Sequence, residues 1–168
     1  MPSSRQVPRT ASDPWVSRRC RACGWRRATA TSATTSTTPT TSTASGSGFA
    51  VALDKPGGFV GREATLAAKD RGTPHHRLVQ VLLSDPEPLL FHAEPVLRDG
   101  VVVGEVRSAS YGWTLGGAVG LAFVGGHGPV TPQWLADGRW EVDVAGTRHP
   151  AVVSLRPMYD PTSARVTG

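Results

Sequence analysis

Isoleucine and asparagine are absent from this 168-residue chain, lysine occurs twice, and the two cysteines, Cys20 and Cys23, both lie near the amino terminus. So few cysteines exclude a disulfide framework. Residues 49–168 contain none, so that part needs no oxidising compartment. The Cys20-x-x-Cys23 pair lacks the second pair of Cys or His that a zinc site requires, and the nearest histidine is His75. A redox pair wants a strand before it and a helix after it, whereas here the flanks are arginine-rich. No window holds eighteen apolar residues, which excludes a membrane-spanning helix. No apolar stretch follows the first arginines, so there is no secretory signal, and the acid-poor start lacks the amphipathic helix of an organelle transit peptide. These absences predict a cytoplasmic chain without membrane contact.

What is present divides at residue 48. Residues 17–48 contain only Ser, Arg, Cys, Ala, Gly, Trp, Thr and Pro, without one Leu, Val, Glu or Asp. All eight have C or G at the second codon position. The lack of Ile and Asn and the two lysines indicate a GC-rich gene, whose third codon positions are G or C. Read one base out of frame, those third bases become second bases and yield such a run. The composition favours an out-of-frame amino-terminal part joined to a genuine carboxyl-terminal part. The competing reading is a Ser/Thr/Ala-rich linker. On either, residues 1–48 are expected to be a disordered tail, because these side chains bury too little apolar area to offset ordering entropy.

Charge divides at the same place. Residues 1–48 carry seven arginines against Asp13, a net +6, while residues 49–168 carry eleven basic against twelve acidic side chains, a net −1. The sequence pI of about 10.0 therefore belongs to the tail. An arginine-rich arm could contact nucleic acid. Out-of-frame GC-rich codons also give arginine, so no nucleic-acid partner is expected.

From Phe49 onward the chain has folded texture. Residues 49–53 predict a short strand, Lys55-Pro56-Gly57-Gly58 a turn, and Gly61–Arg71 a helix, with Glu63 near its start, Lys69 and Arg71 near its end, and Gly72 beyond. Thereafter the pattern is β. Strands are predicted over Arg77–Leu83, in a hairpin about Asp99-Gly100 whose second arm runs to Ser110, over Ala118–Val124, Trp140–Val144 and Arg148–Leu155, with a helical turn over Pro132–Asp137. Five or six short strands predict a mostly β fold, a small antiparallel barrel preceded by one short helix.

The segments GFAVALDKPGGFVGREATL (Gly48–Leu66), EPVLRDG (Glu94–Gly100), VRSASYGWTLGGAVGLAFV (Val106–Val124) and VDVAGTRHPAVVSLRPMYDP (Val142–Pro161) occur in this order over some 120 residues. Together they resemble the carboxyl-terminal part of the glycine-cleavage T-protein (aminomethyltransferase) superfamily, closest to the folate-binding half of dimethylglycine and sarcosine dehydrogenases. The resemblance implies that residues 49–74 are the end of a folate-binding domain and that residues 75–168 are the carboxyl-terminal barrel. It implies a family that oxidises an N-methyl group with a flavin (FAD) and passes the one-carbon unit to tetrahydrofolate. The FAD belongs to an amino-terminal domain of the parent enzyme. No G-x-G-x-x-G opens a helix here, and the catalytic aspartate region of the family falls in an earlier domain. The expectation is a fragment, inactive alone, whose partners are the flavin and folate-binding domains of the parent.

Three residues are the folate-side candidates. Tyr111 and Trp113, in the Ser/Gly-rich loop Ser108–Gly116 between strands, could stack on a pterin or benzoyl ring, although aromatics at such places also serve packing. Arg156 could attract glutamate carboxylates, or be an ordinary surface arginine. His75 and His76 point to opposite sides of an extended chain, and His92, His127 and His149 have no ligand at metal spacing, so no metal is assigned. Ser108 and Ser110 lack a nucleophile elbow. Two other function classes stay open: a purely structural barrel, and a basic-tailed nucleic-acid module.

Overall fold

The computed structural model describes Ser42, residues 44–162 and residues 164–167. Its elements are a 3-10 turn at Gly48–Ala50, α1 (Arg62–Asp70), β1 (His76–Leu83), β2 (Pro95–Arg98), β3 (Val101–Gly112), β4 (Gly117–Gly125), α2 (Pro132–Ala136), β5 (Trp140–Val144), β6 (Thr147–Ser154) and α3 (Ala164–Thr167). The six strands close into an antiparallel barrel in the order β1-β4-β3-β2-β5-β6. The expected mostly β fold, a small antiparallel barrel behind one short helix, is therefore what the chain adopts. Cys20, Cys23 and most of the expected tail lie outside the described residues.

Alternation along the strands explains the core. Val79, Val81 and Leu83 of β1, Val106 of β3, Ala118, Ala122 and Val124 of β4 and Val142 of β5 point into the barrel and are buried. Burying a valine or leucine side chain contributes about 2 kcal/mol. The opposite parity of β1 and β4 forms a second apolar layer, in which Leu78, Val119 and Leu121 pack with Leu82, Leu115 and Phe123. Register shifts at Val96/Leu97 and at Val106/Ser108 are bulges, which add the local bend that closure of so few strands demands.

Hairpin turns follow from local chemistry. Asp99 and Gly100 have φ of 53° and 81°, and Ala145 and Gly146 of 51° and 87°, the two positive values that a type I′ turn requires. Helix α2 starts where Thr131 Oγ1 accepts from Trp134 N at 3.1 Å, with Pro132 in the first turn.

The strand expected over residues 49–53 does not form. Gly48–Ala50 makes a 3-10 turn instead, and Phe49 is 92% exposed. The reason is topological. A strand needs an open edge, and closure leaves one at residues 76–79 of β1, beyond its pairing with β6. Where β1 outruns β6, Leu78 N donates to Ala44 O at 2.8 Å, and Ala44 is buried. Ordered contact with the barrel thus reaches into the segment before residue 49.

Candidate functional site

The register defines the two ends of the barrel. One end, the mouth, gathers the β1–β2 connection (residues 84–94), the β3–β4 connection (113–116) and the β5–β6 turn (145–146). The other end gathers the β2–β3 turn, the long connection carrying α2, and the chain after Ser154.

Tyr111 and Trp113 stand at the mouth. Tyr111 pairs with Ala118, whose side chain is in the barrel core, so Tyr111 shares the inward parity at the rim. Its ring lies 4.8 Å from that of Trp113, tilted by 59°. Residues i and i+2 of an extended chain share a face, which brings the two rings together. Trp113 is 86% exposed, while Leu115 of the same connection packs into the outer apolar layer. The connection is thus pinned by its leucine and presents its indole to solvent.

Arg156 is not brought to this site. Ser154 pairs with Gln80 in the middle of β1, and the chain continues from there towards the far end of the barrel. Arg156 is exposed, and its backbone N donates to Ser154 Oγ at 3.0 Å. Tyr111, through Ala118, is level with the mouth end of β1, where Val119 pairs with Leu82. A single ligand touching the Tyr111–Trp113 rings and Arg156 would have to span much of the barrel's length.

The mouth also holds a group of ionisable side chains that sequence spacing did not reveal. His149 Nδ1 lies 3.5 Å from Asp85 Oδ2. Glu94 Oε2 accepts from Phe91 N at 2.7 Å. Burial pushes the Glu94 carboxyl above the usual carboxylate range. The bond from Phe91 opposes that rise, the charge of Asp143 adds to it, and His149 opposes it. Asp85, Glu94, Asp143 and His149 come from three separate parts of the chain, so no spacing rule could join them. The one legible signal was the Ala145-Gly146 turn, which sets Asp143 opposite Arg148, beside His149. No described His, Cys, Asp and Glu form a group of three or more able to hold a metal ion. No described helix is long and apolar enough to cross a membrane.

A cavity of about 690 Å³ is bordered by residues 57–64, and another of about 370 Å³ by residues of the 42–53 segment with Thr65, Lys69 and Arg77. Neither of these two cavities is lined by Tyr111 or Trp113.

The family model for the glycine cleavage T-protein C-terminal barrel domain matches residues 76–160. The chain is 44% identical over 124 residues to a 4-methylaminobutanoate oxidase (formaldehyde-forming) of Paenarthrobacter nicotinovorans, a match that covers 74% of this chain and 14% of that protein. It is 31% identical over 126 residues to the mitochondrial sarcosine dehydrogenase of Mus musculus, again 74% of this chain and 14% of the relative. With an aminomethyltransferase of a Nostoc species it shares 38% identity over 115 residues, which is 68% of this chain and 29% of that enzyme. The chain therefore spans less than a third of the length of each of these relatives.

Proposed function

The chain belongs to the glycine cleavage T-protein C-terminal barrel family, and on that premise we propose that it is the barrel unit of a larger, sarcosine dehydrogenase-like enzyme. In that enzyme a one-carbon unit passes from an N-methylglycine to tetrahydrofolate. The barrel's part is to present Tyr111 and Trp113 as one wall of the folate cavity, and alone it performs no turnover. The partners in this reading are the flavin and folate-binding domains of the same enzyme, in the cytoplasm.

One observation carries the reading: a tryptophan 86% exposed at the barrel mouth, braced by a tyrosine ring at 4.8 Å. An indole left in water beside a second ring is a surface on which a further ring can pack. Two rings tilted by 59° offer faces on which a flat pterin or benzoyl group can stack. The residues fit such a stacking contact. Bound tetrahydrofolate would supply the nitrogens that accept the one-carbon unit, while Tyr111 and Trp113 orient its rings and keep water from one side. Arg156, at the far end, serves no part of this wall.

The described residues do not fit a flavin dinucleotide. A glycine-rich dinucleotide loop lies between a strand and a helix. Here Gly57, Gly58 and Gly61 precede α1, but the chain before them is a 3-10 turn. No step is therefore derived through a flavin on this chain.

Transfer requires the iminium carbon and the accepting nitrogen to be held in contact distance, with a carboxylate placed to manage charge. One open wall supplies neither. Incubating the purified chain with tetrahydrofolate, FAD and sarcosine or dimethylglycine should give no methylenetetrahydrofolate above the protein-free background. Catalytic formation of that product, abolished by Tyr111→Ala, would refute the claim that the barrel is only one wall.

A further inference from the structure

The start of β1 carries a concave surface built from three parts of the chain. Residues 44–53 run as tight turns, with Ala50 N donating to Ser47 O at 3.0 Å and Leu53 N to Val51 O at 3.1 Å. This segment is tied to the barrel where Leu78 N donates to Ala44 O at 2.8 Å, on the part of β1 that lies beyond its pairing with β6. It is tied to α1 where Arg62 Nε donates to Leu53 O at 3.0 Å. The segment, α1 and β1 together border the cavity of about 370 Å³, a size within the range of small-molecule sites.

The lining is of two kinds. Phe49, Val51 and Leu53 give it an apolar side. Val51 and Leu53 are half-buried, while Phe49 is 92% exposed. Lys69 and Arg77 give it two cations. Lys69 follows Thr65 by four residues, so both lie on one face of α1, and Arg77 comes from β1. Asp54 and Asp70 adjoin lining residues in sequence, but no carboxylate borders the cavity. The ion pairs among the described residues are Arg98–Asp99, Arg107–Glu105, Arg139–Glu141 and His149–Asp85, so neither Lys69 nor Arg77 is committed to an acidic side chain there.

We propose that this cavity binds a small organic carboxylate, its charge held by Lys69 and Arg77 and its apolar body packed on Phe49, Val51 and Leu53. The proposal is independent of the folate reading, because neither Tyr111 nor Trp113 lines the cavity.

Two like charges bordering one cavity repel each other, and an anion between them turns that repulsion into attraction. Arg77 is half-buried, and a cation partly withdrawn from water without a partner is costly. A carboxylate is the partner that a guanidinium fork matches with two parallel hydrogen bonds. Thr65 Oγ1 already donates to Gly61 O at 2.9 Å, so its proton is not offered to the anion. The apolar side selects an organic anion over an inorganic one, because packing an aliphatic body there removes Phe49, Val51 and Leu53 from water.

Backbone ¹H–¹⁵N spectra of the full chain, titrated with hexanoate at constant ionic strength, test this. The amides of Gly48, Val51, Leu53 and Thr65 should shift together and saturably, with a Kd of about 1 mM, while that of Val142 in β5 stays in place. Hexanamide, the same body without the charge, should bind about tenfold more weakly or worse, and so should inorganic phosphate, a charge without the body. Arg77→Gln and Lys69→Gln should each weaken hexanoate binding about tenfold. If Arg77→Gln fails to fold, Lys69→Gln, at an exposed helix position, decides alone. No saturable shift with hexanoate, binding of hexanamide or phosphate as tight as that of hexanoate, or affinity undiminished in the charge variant that folds overturns the proposal.

Discussion

The guanidinium of Arg98 lies 4.6 Å over the ring of Trp134, while its Nε donates to the carbonyl oxygen of that same tryptophan at 3.2 Å. One side chain at the end of β2 thus holds both the backbone and the ring of α2. It also pairs with Asp99 at 3.1 Å, and Trp134 in turn meets Trp140 edge-on at 5.4 Å. These contacts hold α2 against the far end of the barrel. A cation over an indole contributes about 0.5–2 kcal/mol, more when shielded from water. Arg98→Ala should therefore lower stability by about 2 kcal/mol in urea unfolding. Arg98→Lys should recover only a minor part, because lysine lacks the planar fork. Full recovery by lysine would mean that charge alone matters there.

The two tryptophans at opposite ends should behave in opposite ways. Trp140 is 6% exposed and its Nε1 donates to Leu135 O at 2.9 Å. Trp140→Ala should cost about 3–5 kcal/mol. Trp113→Ala, at an exposed position, should change stability by less than about 0.5 kcal/mol. Comparable losses in thermal unfolding would show that Trp113 is a packing residue and not a contact face.

Close approach of strands makes Gly104 irreplaceable. A Cβ there would lie 2.8 Å from Val124 Cα, backbone that cannot rotate away. Gly104→Ala should cost about 1–3 kcal/mol. Gly128→Ala, with nothing within 4 Å of the added atom, should be close to neutral. Equal effects would place the β3–β4 register in error.

The run of Ser, Thr, Ala and Arg before residue 48 leads to a prediction about DNA. Sequencing the gene upstream of codon 48 should reveal, in another frame, an open stretch encoding a peptide that continues the family resemblance. Stop codons in both other frames between codons 10 and 48 would instead favour a true linker.

Much of the fold could be read from the chain because local chemistry specifies it. Asp99-Gly100 and Ala145-Gly146 name their turns, and the alternation along Trp140–Val144 names the buried face of β5. What alternation cannot specify is who pairs with whom. The contact of Leu83 with Ala151 closes the barrel across most of its sequence, and only the assembled sheet decides it. That closure also bears on the failure of the expected strand at residues 49–53, which has the right side chains but meets a barrel whose free edge, at the start of β1, is contacted by Ala44. The same limit applies to the site. Tyr111 and Trp113 were legible as two aromatics in one Ser/Gly-rich loop, whereas Tyr111 belongs to the end of β3. Asp85 and His149 meet at 3.5 Å only through tertiary structure. Arg156 illustrates the converse, a plausible residue type that the register carries away from the mouth.

The central claim is that Trp113 is a folate-facing wall on a barrel that binds folate weakly by itself. The indole N–H resonances of the full chain, followed by ¹H–¹⁵N NMR during titration with tetrahydrofolate, test it most directly. The Trp113 signal, assigned by its loss in Trp113→Phe, should shift with a Kd of about 1 mM, or roughly 4 kcal/mol, while those of Trp134 and Trp140 stay in place. A Trp113 signal that does not move up to saturating folate, or micromolar binding unchanged in Trp113→Phe, would contradict the account.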